Sequence, residues 1–308
     1  MKLLITGAWN VKQEQIESLQ QQGHEIVFLQ NETDGLPANV GDIEGVICNG
    51  LFLNHPIELF SSLRYIQLTS AGYDRVPMDY IKEHNICIHN ARGVYNLPMA
   101  EFALCGVLQL YKQSRFFMNN QLQHRWEKHR GILELSGRTV CVVGCGNIGE
   151  TCARLFSALG CSLIGIDPVP YNGSAFEKVF ALEQSNEALS QADIIILCLP
   201  LTAQTHHFVG QEFISQCKQG AILVNIARGA VVETDALVEA LHKNLGGAVL
   251  DVFEDEPLLQ DCPLWNMENV IITPHNSFVG DNNSQRLTEV IMNNLYKEEF
   301  IFEETSVI

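Results

Sequence analysis

Thr139-Val-Cys-Val-Val-Gly144-Cys-Gly146-Asn-Ile-Gly149 is the stretch that decides the fold. A short apolar run gives way to three glycines spaced G-x-G-x-x-G, and the residues that follow, Glu150 to Gly160, carry a helical pattern. The first glycine permits a tight turn, the second lets the backbone approach a pyrophosphate, and the third lets the helix pack closely on its strand. The next apolar run, SLIGID, ends in Asp167, a carboxylate suited to ribose hydroxyls and repellent to a 2′-phosphate. No Arg or Lys follows until Lys178. Gly144, Gly146, Asn147, Ile148, Gly149 and Asp167 therefore mark a dinucleotide site that favours NAD.

Downstream, IIILCLP, AILVNIA, AVLDVF and NVIITPH continue the series, giving six strand candidates for a doubly wound parallel sheet of the Rossmann type. Upstream, LLIT, EIVFL, GVIC, YIQLT and ICIH form a second βαβ series, whose first strand runs into Thr6-Gly7-Ala8-Trp9 and lacks the fingerprint. Between the two, LPMAEFALCGVLQLYKQSRFFMNNQ reads as one long helix with Pro98 in its first turn, followed by a polar arm containing Trp126. The segment from Gly280 through RLTEVIMNNLYKEEF comes too late for the second sheet and is expected to return to the first. These patterns predict an α/β protein of two doubly wound parallel-sheet domains with an interdomain cleft and a hinge. Residues 1–97 with 280–308 form a discontinuous substrate domain, and 98–279 a nucleotide domain.

Composition narrows the function classes. A chain of 308 residues, 46% hydrophobic and 18% charged, can build two cores and is not a disordered sequence. A net charge of -17 disfavours nucleic acid and anionic membranes as partners, and it requires anionic ligands to be drawn by local groups. No apolar stretch is long enough to span a bilayer, and MKLLITGAWN turns polar too early for a signal peptide, so a cytoplasmic protein is expected. The ten cysteines show no CxxC spacing and mostly border apolar runs, which reads as reduced thiols and no metal site. Cys145, inside the glycine loop, is expected to be exposed when no nucleotide is bound.

Three polar residues emerge where apolar runs end: Arg228 in ILVNIARG, Glu256 in VLDVFEDEP and His275 in VIITPH. Ligands of a parallel sheet lie at the carboxyl ends of its strands. A guanidinium can hold a carboxylate with two prongs and polarise an adjacent carbonyl. An imidazole can carry a proton, and a carboxylate partner can fix its tautomer and favour the imidazolium. Spacing alone does not choose among Glu254, Asp255 and Glu256.

TSAGYDRVP, GVYNLPMAEFAL, the glycine loop with Asp167, CLPLTAQTHHFVG, VNIARGAVVETDALVEAL, LDVFEDEPL and PLWNMENVIITPH occur in one order along nearly the whole chain. Together they resemble the D-isomer-specific 2-hydroxyacid dehydrogenase family. The resemblance implies a flavodoxin-like substrate domain beside the Rossmann domain, NAD as cofactor and hydride exchange with a 2-oxo or 2-hydroxy acid. It selects Glu256 as partner of the acid/base His275 and gives Arg228 the substrate. It makes Asp251 the holder of the nicotinamide carboxamide and adds Pro200, Thr205 and Ala227 to the cofactor contacts. The backbone at Ala71 and Gly72 corresponds to the segment receiving the substrate carboxylate, with Leu51 and Tyr95 lining the pocket. The long helix and the arm correspond to dimerisation elements, so a homodimer is expected.

Departures from the family pattern narrow the substrate. CNGLFLN carries no arginine, which disfavours a phosphorylated substrate, and Glu256 argues against formate oxidation, for which relatives carry glutamine there. No regulatory domain is expected beyond the return helix. The rival readings are an NAD-sensing interaction protein of the C-terminal-binding corepressor type and 3-phosphoglycerate dehydrogenase.

Overall fold

The computed structural model describes residues 1–171 and 175–296. By internal packing the chain divides into Met1–Tyr95 with Gly280–Ile308, and Asn96–Val279. The first junction falls two residues before the expected Leu97 boundary, because Asn96 already opens a helix.

The first unit contains β1 (Lys2–Thr6), β2 (Glu25–Leu29), β3 (Gly45–Cys48), β4 (Tyr65–Leu68) and β5 (Cys87–His89), all parallel in the order β2-β1-β3-β4-β5. That is the flavodoxin-like order. Strands covered on both faces need continuous apolar runs, and β3 and β4 are buried at every position. Each large aliphatic side chain withdrawn from water there stabilises the unit by roughly 1.5–3 kcal/mol. The helix Asn283–Leu295 lies on this unit through Leu287, Ile291 and Leu295, and Trp9 Nε1 donates to Thr288 Oγ1 at 3.1 Å. The last residues of the expected return helix, 297–300, lie outside the described residues.

The second unit adds β6 (Thr139–Val143), β7 (Ser162–Ile166), β8 (Lys178–Phe180), β9 (Ile194–Leu197), β10 (Ile222–Asn225), β11 (Gly247–Leu250) and β12 (Val270–Ile272). Their order, β12-β11-β10-β9-β6-β7-β8, is a parallel Rossmann sheet with a seventh strand. The helix Asn147–Ala158 buries Gly149, Cys152, Ala153 and Phe156, the one-face spacing its sequence carries.

Two features of this unit depart from the sequence reading. The sheet has seven strands, not six: β8 is three residues long, at an edge, and Lys178 places its ammonium 3.9 Å from the Phe180 ring, so it shows no buried alternation. The expected single long helix is two, Asn96–Tyr111 and Ser114–Leu122, broken where Gln113 adopts a left-handed backbone at φ 54°. No Gly or Pro marks that break. Tertiary bonds impose it, with Lys112 Nζ donating to Leu133 O at 2.7 Å and Arg115 Nη1 to Met267 O at 2.8 Å. Among the described residues no helix is long and apolar enough to cross a membrane.

Candidate active site

The loop between β6 and its helix has the shape a dinucleotide needs. Gly144 has φ 92°, and a Cβ on Gly149 would lie 2.2 Å from Gly144 O, so both positions exclude larger residues. In front of Gly146 nothing lies within 4 Å of where a Cβ would be, and the first amides of the helix beginning at Asn147, Ile148 and Gly149 form its positive end. Asp167, just past β7, accepts from Cys145 N at 2.9 Å and Val169 N at 3.0 Å. The Tyr171 hydroxyl donates to Cys145 O at 2.7 Å and Glu150 Oε1 at 3.0 Å. Across the sheet, Thr205 Oγ1 donates to Pro200 O at 2.6 Å and closes the loop after β9. An open second glycine, helix amides and a strand-end acid fit an NAD pyrophosphate and ribose.

Cys145 is not exposed beside this loop. Its Sγ is buried against Gly165 and bonds Val142 O at 3.6 Å and Ile166 O at 3.8 Å. Burial, with the nearby Asp167 charge, pushes the thiol up to about 12, so the expected accessibility is corrected to an inert packed sulfur. Cys105 is the exposed cysteine, against the expectation for its apolar helix.

After β10, buried Asn225 shapes the turn that carries Arg228. Its amide donates to Arg228 O at 3.0 Å while Ala227 N donates to its Oδ1 at 3.1 Å. Arg228 has an extended backbone, and its Nη1 donates to Ala227 O at 2.8 Å. After β12, His275 occupies a left-handed backbone at φ 51°, held by its N–H to Asp251 O at 2.7 Å. Its Nδ1 donates to Glu256 Oε2 at 2.8 Å, and Glu256 Oε1 accepts from Phe253 N at 3.1 Å. The ring's Nδ1 is therefore occupied, which leaves Nε2 as the nitrogen able to exchange a proton with a reactant.

Asp251, for which the resemblance implies a nicotinamide contact, also holds the turn beside it. The residue is fully buried, and its carboxylate accepts from Thr273 Oγ1 at 2.6 Å, Asn276 N at 2.8 Å and Ser277 N at 2.8 Å. It organises the turn that presents His275. Asn225 and Thr273 were missed by the sequence reading; the available signal was a polar residue closing an otherwise apolar run.

In the first unit, the carbonyl of Ala71 accepts from Asn90 Nδ2 at 2.6 Å and that of Gly72 from Ser70 Oγ at 3.1 Å. Among the described residues neither backbone amide has a partner, so the pair can receive a carboxylate. Tyr95 is partly buried and its hydroxyl donates to Thr69 O, anchoring the same segment. Leu51, expected to line the pocket, has its side chain buried in the first unit's core. Its loop is held by Glu32, whose carboxylate accepts from Asn49 N and Gly50 N, each at 2.6 Å.

The sequence reading left one further cluster unassigned. His207, with a left-handed backbone at φ 53°, bonds Glu254 Oε1 through Nε2 at 2.5 Å. Glu254 Oε2 accepts from Thr234 N at 2.8 Å and from the Thr234 hydroxyl. Burial opposes ionisation of Glu254, but the Thr234 bonds and the His207 charge outweigh it and hold the carboxyl below its ordinary 4.5.

Residues 104–277 match the family model described as D-isomer specific 2-hydroxyacid dehydrogenase, NAD binding domain. The chain is 32% identical over 239 residues to an (S)-sulfolactate dehydrogenase from Chromohalobacter salexigens, covering 77% of each chain. It is 31% identical over 263 residues to a glyoxylate reductase from Korarchaeum cryptofilum, covering 80% of this chain and 79% of that one. Among solved structures it resembles a D-lactate dehydrogenase from Aquifex aeolicus complexed with NAD and lactic acid, at TM-score 0.78 and 27% identity over 96% of this chain and 94% of that one.

Proposed function

The chain belongs to the D-isomer specific 2-hydroxyacid dehydrogenase family, and from that premise we propose that it interconverts a small non-phosphorylated 2-oxo acid and its D-2-hydroxy acid, with His275 as acid/base. It is an NAD-dependent oxidoreductase acting on a CH–OH group. The observation that carries the residue assignment is the His275 Nδ1 to Glu256 Oε2 bond of 2.8 Å beyond the strand ends.

NAD, when bound, supplies the hydride acceptor or donor. Gly144, Gly146, Asn147, Ile148 and Gly149 receive its pyrophosphate and Asp167 its adenosine ribose, while Pro200, Thr205 and Ala227 line the same edge of the sheet. Arg228 holds the substrate's carboxylate and polarises its carbonyl. The amides of Ala71 and Gly72, without partners among the described residues, donate to a carboxylate in their own unit. In reduction, protonated His275 donates from Nε2 to the carbonyl oxygen as negative charge develops there, and Glu256 keeps the ring oriented and stabilises its cation. Asp251 receives the nicotinamide carboxamide, as the resemblance implies, and fixes the His275 turn through its bonds from Thr273, Asn276 and Ser277.

We assign the protein to a homodimer of the cytoplasm. Met118, Leu122 and Trp126 are 62%, 78% and 98% exposed, an apolar arm suited to a second copy. The free thiols suit a reducing compartment. Monitoring NADH absorbance with pyruvate, glyoxylate, hydroxypyruvate, branched 2-oxo acids and 3-phosphohydroxypyruvate tests the substrate reading. Turnover is expected with an unphosphorylated acid. Preference for the phosphorylated one overturns the substrate class, and no turnover with any of them returns the argument to an NAD-sensing binding protein.

A further inference from the structure

We propose that Glu254 is a positioning residue for the reaction, fixing the turn from Phe253 to Pro257 so that Glu256 meets His275; the proposal rests on the acid/base reading of that pair. Three successive acids, Glu254, Asp255 and Glu256, could each compete for one imidazole. The structure removes Glu254 from that competition by giving it other donors, His207 from the loop after β9 and Thr234 at the head of the helix Thr234–Lys243, where the loop after β10 ends.

This clasp bears on the reacting groups through the backbone. One oxygen of Glu256 bonds Phe253 N inside the same turn, so the direction of its other oxygen follows the turn's conformation. A Cβ on Gly229 would fall 1.8 Å from Phe253 C and 2.5 Å from Glu254 N, so the Phe253–Glu254 peptide lies directly against the segment that carries Arg228. His207 is itself tied there, its N–H donating to Ala230 O at 2.8 Å, with Val209 N to Val231 O at 3.0 Å and Glu233 N to Val209 O at 3.1 Å continuing the seam. His206 stacks on His207 with ring centroids 4.0 Å apart. A left-handed histidine costs backbone energy and persists where surrounding bonds determine it. Glu254 thus joins three loops at the carboxyl edge of the sheet, and the two that carry Arg228 and Glu256 are held in one relation.

The test is steady-state reduction by the full-length enzyme of the panel's fastest acid, with Glu254→Ala, Glu254→Gln and Thr234→Val beside His275→Ala. Glu254→Ala is expected to lower kcat about tenfold, the effect of roughly 1.4 kcal/mol. KM for NADH should stay within about twofold, as the glycine loop is untouched. The alkaline fall of the reduction rate should move to lower pH, because a displaced Glu256 supports the imidazolium less. Glu254→Gln, which keeps an acceptor for Thr234, should recover part of the loss. Thr234→Val, a milder change that decides the matter if Glu254→Ala does not fold, should shift the same limb less. An unmoved alkaline limb in the folded variants overturns the proposal, even where kcat falls with the melting temperature. An active His275→Ala would instead sink the acid/base reading itself, which separates the two failures.

Discussion

Two imidazole–carboxylate pairs draw on the same turn, and they differ in what holds the carboxylate. Glu254 accepts from His207 and twice from Thr234, so both oxygens have fixed donors on other loops. Glu256 has a single fixed donor, Phe253 N, and faces His275 with its second oxygen. Both histidines have left-handed backbones, at φ 53° and 51°. The contrast teaches that an imidazole–carboxylate contact is not in itself an acid/base site. A carboxylate whose donors come from two other segments braces the chain, whereas one tied within its own turn can orient the imidazole it faces for a reactant.

Substitutions can break this contrast. His275→Ala should lower the reduction kcat by roughly two to four orders of magnitude with NADH binding intact by fluorescence titration; near-normal turnover would remove His275 from the reaction. Glu256→Gln should cost about ten- to a hundredfold in kcat, since a hydrogen bond to a charged group is worth roughly 1.5–3 kcal/mol. If Glu254→Gln cost more than Glu256→Gln, the two roles would be exchanged.

The direction of reaction sharpens the comparison further. Reduction needs the His275 imidazolium and should decline as pH rises, while oxidation needs the neutral ring and should decline as pH falls. Parallel profiles in the two directions, with release excluded as the slow step by burst measurements, would contradict the assignment.

The smallest effect concerns stability. Glu254 is held below its ordinary 4.5 in the fold, so its contribution is complete above the unfolded value and is lost as pH falls through the folded one. The melting-temperature gap between the protein and Glu254→Gln should therefore be full above 4.5 and close as pH falls below it. A constant gap would show that the charge of Glu254 adds nothing to the clasp.

Much of this was legible where local chemistry and position coincide. Gly144 and Gly149 announce a turn that only small residues tolerate, and apolar runs such as IIIL announce strands covered on both sides. Arg228, Glu256 and His275 were visible because polar groups end such runs. What stayed hidden depends on contacts distant in sequence. Nothing local in Lys112-Gln113 announces a helix break imposed by Leu133 and Met267. The resemblance places Leu51 along the pocket, while its packing in the core with β3 and β4 is set by contacts distant in sequence. The resemblance makes Asp251 a ligand for the nicotinamide, and the hydrogen bonds from Thr273, Asn276 and Ser277 add that it braces a turn. Spacing leaves three acids open and the resemblance selects Glu256, whereas the bonds that engage Glu254 come from His207 and Thr234, both remote from the EDEP segment in the chain.

The sulfur packed beneath the glycine loop has a practical consequence for labelling. With Cys145 enclosed and its thiol pushed up to about 12, maleimide and iodoacetamide reagents have little access to the nucleotide turn, while Cys105, exposed in the single chain, lies on the helix Asn96–Tyr111 of the proposed dimer seam. Labelling at Cys105 should therefore slow as subunits pair, so this thiol reports assembly while the cofactor loop keeps its native chemistry.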